Sequence, residues 1–419
     1  MHDFKYDHGQ LCCEGLPIGK IAEEVGTPFY LYSHRTLLRH FQAFDSAFSA
    51  IPHLTCFALK ANPNLALLRI FAREGAGADV VSGGEIYRAF KAGIPADRVV
   101  FAGVGKTRDE IELALRSGIL MLNVESSPEL ALIDRVAREL GTQAQVALRI
   151  NPNVDPQTHP YISTGLKKNK FGIDISRAVE EYQAAMEMRN VQVIGVHQHI
   201  GSQITEVAPF VDSLTKIAEL IQTLRECGIV IRYLDVGGGL GITYHDEDPP
   251  SPTAFARALM EVIKDLGCTI VLEPGRVIVG NAGILVTRVL YLKKGPQKNF
   301  LIVDAGMNDL IRPSLYGSYH SILPVMEKGE DGGLIADVVG PICESGDFLA
   351  KDRKLPPLDQ GELLAVMSAG AYGFAMSSTY NSRPRIPEVL VRGNELHILR
   401  ERETWEDLIQ GEKIPSFLE

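Results

Sequence analysis

Hydrophobic positions along the chain fall into two regimes. From about residue 54 to residue 273, short apolar runs alternate with segments whose apolar residues recur at helical spacing. The runs lie near 54–60, 77–82, 98–103, 119–125, 145–150, 191–199, 232–236 and 269–273. Between them, helical periodicity covers 65–73, 84–92, 108–116, 128–140, 176–189, 208–226 and 253–266. Runs apolar on both faces are the mark of parallel strands covered by helices. Eight strands alternating with helices in this span match a (β/α)₈ TIM barrel better than an open doubly wound sheet, which usually opens with a Gly-rich turn. Here the first turn reads Lys60-Ala-Asn-Pro63.

Beyond residue 285 the period changes. Apolar stretches at 284–292, 300–304, 334–339, 362–367 and 387–392 read as strands with short turns between them, and only 404–409 looks helical. The pattern predicts a barrel over 35–284 and a second, antiparallel β-sandwich or barrel domain over 285–419. Residues 1–34, with a short amphipathic segment and a strand-like run at 28–33, are assigned to that second domain. The stretch 151–172 is long for a barrel loop, and its part 161–172 reads as an active-site lid.

Composition narrows the function. At 419 residues the chain can bury a sizeable core, and a formal charge of −10 argues against nucleic acid as a partner. No apolar run approaches the roughly eighteen residues of a membrane span. Six scattered cysteines, with no CxxC pair, suggest thiols of a reducing compartment. A cytoplasmic protein is expected, without membrane or nucleic-acid partners.

Barrel chemistry is built at the C-terminal ends of strands. The eight predicted ends carry Lys60, Asp79, Gly103, Glu125, Asn151, His197 with His199, Gly237–Gly239, and Glu273 with Arg276. A lysine at a buried strand end is costly to desolvate unless paired or neutral, and a neutral lysine is a nucleophile for carbonyls and pyridoxal phosphate. A glycine run beside Gly275-Arg276 suits phosphate, whose common place in barrels is after strands seven and eight. A carboxylate such as Glu273 keeps a neighbouring pyridine nitrogen protonated. His197-Gln198-His199 also resembles a metal pair on one strand face, so a metal-dependent barrel hydrolase competes. That reading needs further ligands from other strands, and no other histidine ends a predicted barrel strand.

Lys60, His199-Ile-Gly-Ser202-Gln203, Gly237–Gly239, Glu273-Pro-Gly-Arg276, Cys343-Glu344-Ser-Gly-Asp347 and Gly370-Ala-Tyr372 together resemble the fold-type III pyridoxal-phosphate decarboxylases, over about residues 10–395. The resemblance implies pyridoxal 5′-phosphate as cofactor, with Lys60 as its Schiff-base lysine and His199 stacked on its ring. It further implies Ser202, Gly238, Gly239, Gly275 and Arg276 at the phosphate, Glu273 at the ring nitrogen and Asp79 near the lysine. Cys343 matches the proton donor, and Tyr372 a contact to cofactor and substrate. A homodimer with shared active sites is implied, Cys343 and Glu344 reaching into the partner's site, the β-rich domain contributing to substrate site and dimer interface.

The substrate can be narrowed by charge. A diamine precursor such as ornithine presents a purely cationic distal end, whereas diaminopimelate presents a second amino-acid head. Its distal carboxylate calls for a cation and its ammonium for an acid. Arg312 with Tyr316 offers the first, Glu344 the second, and Arg276 also lies within reach of substrate in such sites. The segment 308–316 and the loop 161–172 resemble the diaminopimelate branch, which implies decarboxylation of the D-centre of meso-2,6-diaminopimelate to L-lysine, the last step of bacterial lysine biosynthesis. Three other readings stay open: a sister decarboxylase, including one with a carrier-tethered substrate; a non-catalytic relative; and the metal-dependent hydrolase. Departures from the family pattern are Gln198, where cysteine is common, and Gly306, where alanine is.

Overall fold

The computed structural model describes residues 2–418 apart from 157, 159–163, 166–169, 330 and 331. The expected lid at 161–172 therefore lies largely outside the described residues. The chain forms two compact units, one of Met1–Leu37 with Val279–Glu419 and one of Leu38–Ile278.

The second unit is a closed barrel of eight parallel strands. In chain order these are β1 (His53–Ala58), β2 (Gly77–Val80), β3 (Val99–Phe101), β4 (Met121–Val124), β5 (Ala144–Asn151), β6 (Val191–His197), β7 (Tyr233–Asp235) and β8 (Thr269–Leu272). Each pairs with the next, and β8 returns to β1 through Ile270–His53 and Leu272–Thr55. Side chains from six strands (Cys56, Val100, Met121, Ala147, Ile194 and Val271) fill the interior with apolar atoms. This plug leaves the polar strand ends as the chemically distinct layer.

The helices between strands start and stop where local chemistry dictates. Ser82, Thr107, Ser126 and Ser251 each accept a backbone N–H of the first turn, and Thr107 with Glu110 forms a capping box. Gly93, Gly118 and Gly141 end three of these helices in the left-handed region, where a Cβ would be strained. The barrel path of strand and helix is the one the hydrophobic pattern predicts.

The first unit is built on the long strand Gly283–Lys294, which pairs with Phe29–Ser33, Asn299–Val303 and Leu363–Val366. The run at 28–33 thus joins this sheet. The expectation of a wholly antiparallel domain needs correction, because the sheet is mixed. Asn299–Val303 runs parallel to Leu334–Val339, and Phe29–Ser33 parallel to Glu388–Arg392. The first pair is separated by a crossover that carries the helix Arg312–Tyr316 and the strand Ile322–Pro324. Such a crossover, unlike a tight hairpin, brings the next strand back in the same direction. Two strands at the sheet ends, Phe348–Leu355 and Glu395–Arg400, escaped the sequence reading. Neither shows a regular apolar alternation: Lys351, Asp352 and Lys354 are exposed in the first, and Glu395, His397 and Ile398 in the second.

Candidate active site

Barrel strand ends converge on one polar layer. Lys60 follows β1 in a single 3₁₀ turn, and its Nζ lies 2.7 Å from Oδ2 of Asp79 on β2. Asp79 is fully buried. Burial and the nearby Glu273 carboxylate push it up to about 7, against the pull of the Lys60 ammonium. The neighbouring side chains form a connected set. Asn123 on β4 donates to Asp235 Oδ2 on β7 at 2.9 Å, and the Gly237 N–H donates to the other oxygen. Glu273, just after β8, has Oε1 3.6 Å from Nε2 of buried His197. Burial alone would raise Glu273, but His197 and the Lys60 ammonium hold it below the ordinary carboxylate range. Asp235, by contrast, is raised by burial and by Glu273. Of these three buried carboxylates, Glu273 is the one held below the ordinary range.

The two histidines of the His-Gln-His run do different things. His197 sits inside the barrel beside Asp235 and Glu273, each offering a ligand-capable atom within 4.8 Å of the others. His199 instead accepts the Gly238 N–H at Nδ1 over 3.1 Å, so its hydrogen is on Nε2. Burial and the cations Lys60 and Arg149 push His199 well below the usual histidine range, which makes it a neutral ring. Gln198 is occupied structurally, accepting the Ser213 hydroxyl.

Arg276 is buried. It donates to the Tyr244 hydroxyl at 2.6 Å and to Ser202 Oγ at 3.0 Å. Beside it the glycine turn lies directly on neighbouring backbone: a Cβ on Gly238 would come 2.1 Å from the Glu273 carbonyl oxygen, and one on Gly239 2.3 Å from that of Gly201. Gly275 is less crowded, a Cβ there coming 3.0 Å from that of Ala61 and 3.1 Å from that of Ala58. No larger residue fits at Gly238 or Gly239, and a turn without side chains lets a ligand approach its backbone closely. The structure thus brings Lys60, Asp79, His199, Ser202, Gly238, Gly239, Glu273, Gly275 and Arg276 to one rim. Gly103 and Asn151 lie farther round it: the Gly103 carbonyl accepts from buried Lys106, while Asn151 caps the Asn153 N–H.

The remaining candidates belong to the sheet unit. Arg312 and Tyr316 open and close one short helix, and the Arg312 guanidinium is buried. Cys343 and Glu344 are exposed on a turn whose Cys343 N–H donates to Asn381 Oδ1 at 2.7 Å. A hydrogen bond to Glu344 raises the exposed Tyr380 hydroxyl. Tyr372 has φ of 55° between Gly370 and Gly373, where a Cβ would meet backbone at 2.0 and 2.4 Å. The crowding holds Tyr372 in a left-handed conformation that a tyrosine rarely adopts.

Several supporting residues were not foreseen. Tyr244 under Arg276, Asn123 beside Asp235, and Arg149, which donates to Glu125 at 2.7 Å and to the His199 carbonyl at 3.3 Å, lie far from their partners in sequence. Glu125 appears in the strand-end list, but nothing in sequence spacing names its partner. Among the described residues, no helix is long and apolar enough to cross a membrane, and all six cysteines are free thiols.

Residues 34–280 match the family described as pyridoxal-dependent decarboxylase, pyridoxal binding domain. Over its length the chain is 52% identical to a diaminopimelate decarboxylase of Pseudomonas aeruginosa, covering 99% of both chains. It is 50% identical to one of Aquifex aeolicus, covering 97% of this chain and 96% of the relative. The crystal structure of diaminopimelate decarboxylase from M. jannaschii in complex with L-lysine superimposes with a TM-score of 0.94 at 39% identity over both whole chains.

Proposed function

This chain belongs to the diaminopimelate decarboxylase family, and on that premise we propose that it decarboxylates meso-2,6-diaminopimelate at its D-centre to give L-lysine and CO₂. The observation that carries the reading is the paired Lys60–Asp79 end of β1 and β2, set in one rim with ionised Glu273 and the Gly238–Arg276 turn.

The rim residues fit pyridoxal phosphate. Three buried carboxylates share the layer with few cations, and Glu273 Oε1 has no hydrogen-bond partner among the described residues. A protonated ring nitrogen supplies the missing cation and donor. The glycine turn and Arg276 with Ser202 suit a phosphate dianion. Lys60 Nζ would hold the group, and neutral His199 would offer a flat face to its ring. When bound, pyridoxal phosphate supplies a sink for the electron pair left on the α-carbon as CO₂ departs.

The protein's own part is to place charges and a proton. Ionised Glu273 keeps the ring nitrogen protonated. Asp79 holds Lys60 at the strand end, and Tyr372 contacts cofactor and substrate. Arg312, with Tyr316, binds the distal carboxylate, Arg276 assists on the substrate side, and Glu344 receives the distal ammonium. Cys343 delivers the proton to the α-carbon. In this reading the enzyme is a cytoplasmic homodimer, the sheet unit contributes to substrate site and interface, and Cys343 and Glu344 serve the partner's site.

Amine product formed by the pyridoxal-phosphate-loaded protein from meso-diaminopimelate, LL-diaminopimelate, ornithine and arginine tests this directly. Lysine from the meso isomer alone supports it; product from ornithine or arginine overturns the substrate reading. Lys60→Ala should abolish turnover, and wild-type turnover by that variant would overturn the lysine's role. The His197–Asp235–Glu273 cluster favours one second reading, a metal-dependent hydrolase, which metal analysis of the purified protein decides.

A further inference from the structure

The helix Arg312–Tyr316 ends at Gly317, whose φ of 63° lets the chain reverse, and the Gly317 N–H closes on the Pro313 carbonyl. The reversal returns residues 318–320 against the head of their own helix. There, His320 Nε2 lies 2.8 Å from Arg312 Nη1, and Ser318 Oγ accepts from Nη2 at 3.3 Å. On the ring's other side, His320 Nδ1 lies 2.8 Å from the Met367 carbonyl oxygen.

These contacts determine the proton on the ring. A carbonyl only accepts, so His320 Nδ1 carries the hydrogen; a guanidinium only donates, so Nε2 is the acceptor. His320 is a neutral imidazole bridging the sheet backbone to the guanidinium. Its support is itself rigid. The Met367 N–H donates to the Ser321 carbonyl, Arg353 donates to the His320 carbonyl, and Ile322–Pro324 pairs antiparallel with Leu363–Val366. His320 is wholly buried and Arg312 nearly so, so neither contact is weakened by water.

We infer that His320, seconded by Ser318, is a positioning residue that fixes the orientation of the Arg312 guanidinium and thereby sets selectivity for ligands bearing a distal carboxylate. Arginine recognises a carboxylate through a planar fork, and a fork held in one plane loses less freedom on binding than one that swings. The inference rests on Arg312 as the distal-carboxylate residue.

Inhibition of the holoenzyme by L-lysine and by cadaverine tests it, because the two differ only in that carboxylate. The ratio of the cadaverine to the L-lysine inhibition constant reports carboxylate recognition. His320→Asn keeps a donor near Met367 but withdraws the acceptor from Arg312, and its ratio should fall by about 10-fold or more. His320→Gln places an amide oxygen near the Nε2 position and should keep the ratio near the wild-type value. Arg312→Ala should bring the ratio to about one if that residue binds the carboxylate. A wild-type ratio in Arg312→Ala overturns the reading of Arg312 itself. Collapse in Arg312→Ala with no change in His320→Asn overturns the role of His320 alone, as does an equal loss in the Asn and Gln variants. Should His320→Asn fail to fold, His320→Gln decides: retention supports the inference, and collapse to the Arg312→Ala value overturns it.

Discussion

Replacing Gly238 by alanine sets a methyl group against the part of the rim that carries Glu273. An ideal Cβ at 238 lies 2.1 Å from the Glu273 carbonyl oxygen and 3.0 Å from its carbonyl carbon, where ordinary contact begins near 3.4 Å. The obstacle is backbone, and it cannot rotate aside. The Glu273 N–H is tied to the Gly237 carbonyl at 2.9 Å, so the two turns have to part together. Overpacking of this kind costs about 1–3 kcal/mol in stability. The functional cost is of similar size, since a shift of about 1 Å at a reacting centre lowers rate by about 100-fold. Titration of the apoprotein with pyridoxal phosphate and kcat/KM for meso-diaminopimelate should both show the loss. Gly105→Ala is the control, because nothing lies within 4 Å of its Cβ. Wild-type cofactor affinity and rate in Gly238→Ala, or an equal loss in Gly105→Ala, would refute the reasoning.

Cys343→Ala should lower kcat by about 100-fold or more, with KM little changed, if the thiol donates the proton; an unchanged kcat removes Cys343 from the mechanism. Lys106→Met leaves Glu129 buried without the ammonium now 2.7 Å away, and urea unfolding should show a loss of about 3–5 kcal/mol. A loss within error would mean the barrel relaxes around the site. His53 and Asp45 form a half-exposed pair at 3.3 Å, in which Asp45 raises His53 and His53 lowers Asp45. The raised histidine contributes below its unfolded pKa of about 6.5, and that contribution fades as pH rises through the folded value. The lowered aspartate contributes above its unfolded pKa of about 3.9, and its share fades as pH falls through the folded value. The Tm gap between wild type and His53→Gln should therefore be widest between about pH 4 and 6.5 and narrow as pH rises through the folded value of His53, a surface-scale effect of at most about 1 kcal/mol. A gap independent of pH refutes the ion pair.

The strand–helix alternation, the barrel it builds and the rim it displays were legible along the chain because each depends on periodicity within one short segment. A buried parallel strand must be apolar on both faces, and its C-terminal end is where a barrel allows polar groups, so Lys60, Asp79, His199, Glu273 and Arg276 could be placed before any contact was known. Tertiary structure decided what those ends do to one another. That Glu273 is held low while Asp79 and Asp235 are raised follows from distances across the barrel, which no spacing encodes. The parting of His197 from His199 is of the same kind: one ring falls among carboxylates and the other against the Gly238 N–H. So is the pairing of His320 with Arg312, since a helix must end and reverse at Gly317 before an imidazole eight residues later can meet the guanidinium. Periodicity is a local property of a chain; desolvation and partner geometry exist only once distant segments have packed together.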